Sequence, residues 1–90
     1  MLRFYNIYEN FEVFFNSFFN GNEVEFLYKN TRYCILPVYN EKAVMGVRFG
    51  KAYEDADVYC TQKDELYNVN IGNEKFGEIL GDIEILWYNC

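Results

Sequence analysis

The sequence predicts an α+β fold, in which an N-terminal helix and one or two short C-terminal helices pack on an antiparallel sheet of three to five strands, including a last strand. Three observations support this prediction: a phenylalanine stripe with helical spacing, short segments of alternating apolar and polar residues, and turn residues between them. With 90 residues, 51% of them hydrophobic, the chain is expected to form one compact domain over residues 1–90.

The N-terminal helix is predicted from a stripe of five phenylalanines. They are Phe11, Phe14, Phe15, Phe18 and Phe19. Their spacing places all five on one helix face, which we interpret as core rather than as a binding groove. Asn10 is a suitable N-cap, although Asn6 with Glu9 could start the helix a turn earlier as a capping box. Asn20-Gly21 supplies a left-handed C-cap.

Three alternating segments then predict an antiparallel meander. They span residues 23–29, 33–39 and 43–49. In the first, Val24 and Phe26 point one way and Glu25 the other, as in a half-buried strand. In the second, Pro37 cannot donate to a ladder, so its strand is expected at a sheet edge or a bulge. In the third, alternation places Met45 on the same face as the apolar residues that follow it.

The C-terminal half is predicted to contain shorter elements. They are a strand over 58–61, one or two helical turns over 64–68, a helix over 74–80 and a last strand over 82–88. Asn73 is a plausible N-cap and Gly81 a stop for the helix over 74–80. Alternation in the last strand points Ile83, Ile85 and Trp87 inward.

The composition argues against catalysis and against direct nucleic-acid binding. Without histidine, the chain lacks the usual general base and the commonest metal ligand. The cysteines Cys34, Cys60 and Cys90 are odd in number and widely spaced, so free thiols are expected rather than disulfides or a metal knuckle. A pI near 4.5 denies the basic surface that phosphate contacts require. We therefore expect no enzymatic activity, no cofactor and no metal.

The sequence contains no apolar run of the roughly 18 residues that a membrane span needs. Its first six residues lack the apolar stretch of a signal peptide. We therefore expect a cytoplasmic protein with no membrane partner. Abundant Phe, Tyr, Asn, Ile and Lys are typical of an AT-rich genome, such as that of a low-GC bacterium, its plasmids or its phages.

Negative charge is concentrated in the C-terminal half of the chain. Residues 54–65 hold five acids against the single base Lys63. These acids are Glu54, Asp55, Asp57, Asp64 and Glu65. We interpret them as a candidate protein-binding surface for a basic partner, such as a nuclease or a DNA-binding protein. The alternative is that the acids only keep a small protein soluble.

Several of these features together resemble a family of small α+β proteins of low-GC bacteria and their phages. The residues that carry the resemblance are Phe14, Phe18, Gly21, the run Glu23-Val24-Glu25-Phe26, Tyr33, Ile71-Gly72 and Phe76-Gly77-Glu78-Ile79-Leu80. The resemblance implies a helix, a hairpin and a C-terminal helix, but no catalytic or binding residue. Anti-CRISPR inhibitors are similar in size and charge alone.

Two function hypotheses follow from the sequence. In the first, the protein is an acidic, non-enzymatic interaction module. The more specific version of this hypothesis is a phage or mobile-element inhibitor that imitates nucleic acid and blocks a nucleic-acid-handling protein. Carboxylates two residues apart on a strand lie roughly 6.6–6.8 Å apart and could imitate a row of phosphates. In the second, it is a structural or self-associating protein that forms a homodimer through a sheet edge or an aromatic surface.

Overall fold

The computed structural model describes residues 11–52 and 57–89 and has the predicted α+β architecture. A helix α1 (Phe11–Ser17) continues into a 3-10 turn (Phe18–Asn20). The sheet strands are β1 (Glu23–Tyr28), β2 (Thr31–Tyr39), β3 (Val44–Lys51), β4 (Asp57–Cys60) and β7 (Glu84–Asn89). Between β4 and β7 lie α2 (Lys63–Tyr67), the short strands β5 (Asn70–Ile71) and β6 (Glu74–Lys75), and two 3-10 turns (Phe76–Glu78, Leu80–Asp82).

The five main strands form one antiparallel sheet in the order β4-β3-β2-β1-β7. The first four strands form a meander in sequence order, as predicted for its first three members. The last strand, β7, returns to pair with β1, so the first of the described strands lies inside the sheet. The β1–β2 hairpin is closed by Lys29 and Asn30, which adopt φ of 48° and 64°, the positive values that a tight hairpin turn requires.

The phenylalanine stripe of α1 is core over most of its length. Phe14, Phe15 and Phe18 are buried against the sheet, Phe11 is half-buried, and Phe19 remains 37% exposed. Burial of an aromatic side chain removes a large apolar surface from water and supplies a major part of the folding free energy. The stripe therefore anchors α1 to the sheet, as expected from its spacing.

A cluster of aromatic rings connects the sheet to the C-terminal segment. The ring of Phe76, fully buried, lies with its centroid 5.0 Å from that of Phe49, 5.4 Å from Phe26 and 6.4 Å from Phe14. Phe76 thus contacts α1 and two sheet strands at once. This residue holds the segment after β6 on the same face of the sheet as α1.

The predicted helix over residues 74–80 is wrong. Instead, β5 and β6 form a small hairpin around Gly72, whose φ of +63° suits a tight turn, and the two 3-10 turns follow. Phe76 donates a 2.8 Å backbone hydrogen bond to Val69 across this hairpin. The apolar residues Phe76, Ile79 and Leu80 are nevertheless all buried, because 3-10 turns also direct side chains three apart to one side.

Two expectations about strands β2 and β3 need correction, one at Pro37 and one at Met45. Pro37 lies on an interior strand, but β1 pairs only as far as Ile35, so Pro37 extends beyond its neighbour on that side. The β2–β3 register then shifts after Val38, which leaves Met45 as the extra residue. Alternation therefore fails there, and Met45 is 49% exposed instead of facing the core.

Some predictions fall on parts of the chain that the structure does not describe. The alternative N-caps Asn6 and Asn10 lie outside the described residues, and Trp87 is placed on β7 without a description of its side chain. At the other end of the first helix, Gly21 is left-handed with φ of 94°, and its N–H donates to Phe18, so the predicted C-cap is confirmed. No helix in the described ranges is long and apolar enough to cross a membrane.

Candidate interaction surface at the edge strand β4

Strand β4 forms one edge of the main sheet. It pairs with β3 so that Val58 lies opposite Phe49 and Tyr59 opposite Arg48, and among residues 11–52 and 57–89 no strand pairs with its other side. Cys60 is buried, whereas Val58 is 48% and Tyr59 47% exposed. The strand therefore presents two large apolar side chains, one toward each face of the sheet, beside a free backbone edge.

A cleft of about 250 Å³ lies beside Val58 on the core-facing side of the sheet. Its other lining residues are Tyr33, Phe49, Gly50, Lys51, Val69 and Asn70. The aromatic rings and valines give it an apolar floor, and Lys51 and Asn70 are exposed at its rim. A cleft of this size is large enough for one apolar side chain of a partner.

Tyr59 is held against the opposite, outer face of the sheet by close packing on β3. An added Cβ at Gly46 would lie 2.6 Å from the carbonyl oxygen of Cys60 and 2.9 Å from the phenol oxygen of Tyr59. Only glycine leaves room for this approach. Gly46 thus leaves room for the Tyr59 ring against β3.

Helix α2 begins just after β4, and its first turn is organised by Glu65. One carboxylate oxygen of Glu65 accepts hydrogen bonds of 2.9 Å from the Thr61 N–H, 3.1 Å from the Thr61 hydroxyl and 2.9 Å from the Gln62 N–H. These bonds hold the pKa of the Glu65 carboxyl below its usual range, the bond from the Thr61 backbone contributing most. Glu65 therefore stabilises the connection between β4 and α2 as part of a capping box.

The five acids singled out from the sequence are only partly covered by the structure. Glu54 and Asp55 lie outside the described residues, and Asp57 is placed as the first residue of β4 without a description of its side chain. Asp64 and Glu65 both lie on α2, at the C-terminal side of β4, and both are exposed. The Glu65 carboxylate accepts local hydrogen bonds from Thr61 and Gln62, whereas the Asp64 side chain is exposed to solvent.

A third acid adds to the negative charge at this end of β4. Glu12 on α1 lies 3.6 Å from Lys63 on α2, and these two residues together with Asp64 line a cleft of about 310 Å³. The ion pair between Lys63 and Glu12 thus links α2 to α1. Glu12, Asp64 and Glu65 leave a net negative charge beside the end of β4.

The chemistry of Cys60 is that of a core residue. Burial, with a smaller contribution from the charge of Glu65, raises the pKa of its thiol to about 11. A thiol with so high a pKa is almost wholly protonated near neutral pH and is a poor nucleophile. Cys60 is a free thiol, as expected. Within the described ranges, no three acids or cysteines are grouped closely enough to hold a metal ion.

A second exposed surface lies at the far end of β2 and β3. Phe19, Tyr39 and Met45 are 37%, 59% and 49% exposed, and Phe19 and Tyr39 line a cleft of about 460 Å³ between the end of α1 and the β2–β3 turn. We call these three residues the aromatic end surface. Sequence reasoning missed it, because Phe19 belongs to the core stripe by spacing and the bulge that exposes Met45 has no sequence signal.

One cluster of titratable groups joins the β1–β2 turn to the β5–β6 hairpin. Tyr28 donates a 2.6 Å hydrogen bond to Glu74, and Lys29 lies 3.0 Å from the same carboxylate oxygen. The bond from Tyr28, followed by the bond from Lys29, lowers the pKa of the Glu74 carboxyl. The same bonds to Glu74 raise the pKa values of Tyr28 and Lys29. These contacts hold the small hairpin against the β1–β2 turn.

Comparison of the chain with protein-family models, with curated proteins and with solved structures gave no significant match.

Proposed function

We propose that this protein is a small acidic, non-enzymatic interaction module that binds a basic protein partner through the surface around β4. The observation that carries the proposal is the exposed edge strand, on which Val58 and Tyr59 are each about half exposed, with acids close to both of its ends. Apolar anchors surrounded by charge are typical of protein interfaces. The raised pKa of the Cys60 thiol argues against its use as a catalytic nucleophile.

The net charge of −6 favours a basic partner over an acidic or neutral one. Unlike charges steer two proteins together and raise the association rate, and salt weakens this effect. In the sharp form of the proposal, the partner is a nuclease or DNA-binding protein of the host. The acids then occupy its nucleic-acid channel in place of phosphates, as expected for a cytoplasmic inhibitor encoded by a phage or another mobile element.

The test is affinity capture of the tagged protein from a host lysate at low and high salt. The test variant carries Glu54→Lys, Asp55→Lys, Asp57→Lys and Asp64→Lys, and it leaves Glu65 in place because Glu65 caps α2. The matched control carries Glu41→Lys, Glu78→Lys, Asp82→Lys and Glu84→Lys, four exposed acids elsewhere, and so has the same change in charge.

We expect a basic protein to be captured at low salt by the wild type and by the control variant, but not by the test variant. Equal loss in both variants would mean that overall charge matters rather than the surface around β4. Capture that does not depend on salt in any variant would contradict the proposal. If the partner is a nuclease, the wild type should also inhibit its cleavage of DNA, and the test variant should not.

Self-association is the second candidate function, and the aromatic end surface favours it. Exposed Phe, Tyr and Met residues are enriched in protein interfaces, and here three of them lie at one end of the sheet. Size-exclusion chromatography with light scattering separates the candidates. A stable dimer that persists in high salt and is lost on Tyr39→Ser would favour self-association. A monomer would contradict self-association and leave binding through β4 as the remaining candidate.

A further inference from the structure

We infer that β4 recognises its partner by strand addition: an extended segment with an apolar centre and basic ends pairs with the backbone of β4. This inference rests on the proposed binding of a basic partner and specifies how that partner is held. Its basis is the combination of a strand edge with which no other strand of the described ranges pairs, a cleft beside Val58 and acids at the ends of the strand. Strand addition uses backbone hydrogen bonds for affinity and side-chain contacts for specificity.

The edge of β4 is only four residues long, but it lacks three of the devices by which proteins discourage strand pairing. Between Asp57 and Cys60 it has no proline, no lysine and no register shift against β3. Alternate N–H and C=O groups of a strand point to each side, so half of those in β4 face away from β3. An incoming strand would pair with these groups without any rearrangement of the sheet.

The cleft decides where an apolar residue of the partner lies. Val58 faces the same side of the sheet as Phe49, which lies opposite it, and both line the cleft together with Val69. A residue of an added strand directly opposite Val58 would point to this side as well. Its side chain would then enter the cleft against Phe49 and Val69, while its neighbours in sequence would lie beside Tyr59 on the outer face.

Charge selects the rest of the segment. At the C-terminal end of β4, Glu12, Asp64 and Glu65 outweigh Lys63, and Asp57 stands at the other end. Basic residues are therefore favoured at the ends of the partner segment. A second copy is disfavoured as the occupant, because each copy carries a net charge of −6.

The probe is the peptide acetyl-Lys-Lys-Val-Thr-Leu-Thr-Val-Lys-Lys-amide, in which the apolar residues share one face of an extended strand. Two derivatives carry backbone N-methyl groups at alternate positions, so that each blocks a different edge of the peptide strand. A third derivative has glutamate in place of every lysine. Binding to the full chain is followed by fluorescence anisotropy, and its location by the shifts of backbone amide signals.

We expect the parent peptide to bind, the glutamate peptide not to bind, and the two N-methylated peptides to differ by about tenfold or more in affinity, because only one of them loses its hydrogen bonds to β4. Amide signals of residues 57–60 should shift. Equal affinity of the two N-methylated peptides would overturn strand addition while leaving electrostatic binding of a basic partner intact. Failure of the parent peptide to bind at low salt would also overturn it.

A pair of variants tests the cleft independently of the backbone. Val58→Ala removes one wall of the cleft and should weaken binding of the parent peptide several-fold, whereas Val13→Ala, at a residue 63% exposed on α1, should not change it. Amide spectra of the free proteins establish that both variants are folded. Unchanged affinity in a folded Val58→Ala variant would contradict the placement of a partner side chain in the cleft. Loss of lysate capture in the charge-reversed variant remains a separate test of the proposed function.

Discussion

The phenol of Tyr28 donates a 2.6 Å hydrogen bond to the carboxylate of Glu74, 46 residues further along the chain. Lys29 contacts the same oxygen at 3.0 Å and lies over the Tyr28 ring, 5.3 Å from its centroid. The three residues tie the turn between β1 and β2 to the β5–β6 hairpin. Because that hairpin leads directly into Phe76, the contact also supports the aromatic cluster.

This contact predicts a pH-dependent contribution to stability. The pKa of the Glu74 carboxyl is lower in the folded protein than its ordinary value of 4.5. The unfolded chain therefore takes up the proton first, so the stabilisation is present above pH 4.5 and is lost as the pH falls through the lower, folded pKa. Urea unfolding should show that Glu74→Gln is less stable than wild type near neutral pH and that this difference shrinks in acid. Glu78→Gln, an exposed acid close in sequence, is the control, and an equal pH dependence in both variants would contradict the prediction.

Two consecutive phenylalanines should differ sharply in their contribution to stability. Phe18 is fully buried, whereas Phe19 is 37% exposed. Truncation of a buried phenylalanine costs about 3–5 kcal/mol because it removes apolar contacts and leaves a cavity. We expect Phe18→Ala to lose about this much in urea unfolding and Phe19→Ala to lose about 1 kcal/mol or less. Comparable losses would mean that the end of α1 is packed differently.

Two glycines near the C-terminus should respond in opposite ways to alanine. A Cβ at Gly77 would overlap the ring of Tyr67, whereas a Cβ at Gly81 would meet nothing within 4 Å. Gly77→Ala should therefore destabilise the protein by about 1–3 kcal/mol, as overpacking does. Gly81→Ala should be neutral or slightly stabilising, because it reduces the entropy of the unfolded chain. The midpoints of thermal unfolding of both variants and the wild type check this prediction. Equal midpoints for the two variants would mean that the Tyr67 ring does not require glycine at position 77.

Cys60 should resist alkylation in the folded protein. Its thiol is 1% exposed and its pKa is raised to about 11 by burial and by Glu65, so little thiolate is available at mildly alkaline pH. Treatment with iodoacetamide followed by peptide mass mapping should find Cys60 unmodified in buffer and modified in denaturant. Rapid modification of Cys60 in buffer would show that the β4 edge opens far more readily than its packing implies.

The capping role of Glu65 can be separated from its charge. Glu65→Ala removes the three hydrogen bonds to Thr61 and Gln62 and should speed hydrogen exchange of these two amides. Asp64→Ala removes the same charge from the neighbouring position and should leave their exchange nearly unchanged. If both variants exchange alike, charge near the start of α2 matters more than the hydrogen bonds.

Much of the fold could be predicted from periodicity. The stripe of α1 and the alternation in β1 are strong local patterns, and the structure agrees with them at Phe14, Phe18, Val24 and Phe26. The helix proposed over residues 74–80 failed because apolar residues three or four apart also suit successive 3-10 turns. Gly72 is left-handed in the β5–β6 turn, and the Tyr67 ring lies against Gly77, a tertiary contact that the local pattern does not indicate.

The candidate site was predicted only in part. Charge counting identified the acidic stretch around Asp57 and Asp64, but it could not indicate that the intervening strand is an edge. That property follows from the strand order, in which β7 pairs with β1 and leaves β4 outermost on the other side. The local role of Glu65 was likewise hidden, because the hydrogen bonds it accepts are visible only once the turn at Thr61 is known.

The pairing of β7 with β1 also bears on synthesis of the chain by the ribosome. Fully buried Val24 and Phe26 lie on β1, whose outer neighbour begins only at Glu84. Until that strand has left the exit tunnel, β1 is an uncovered edge of the sheet. We therefore expect chains that stop before Glu84 to aggregate or to be degraded, because the sheet is complete only when β7 pairs with β1.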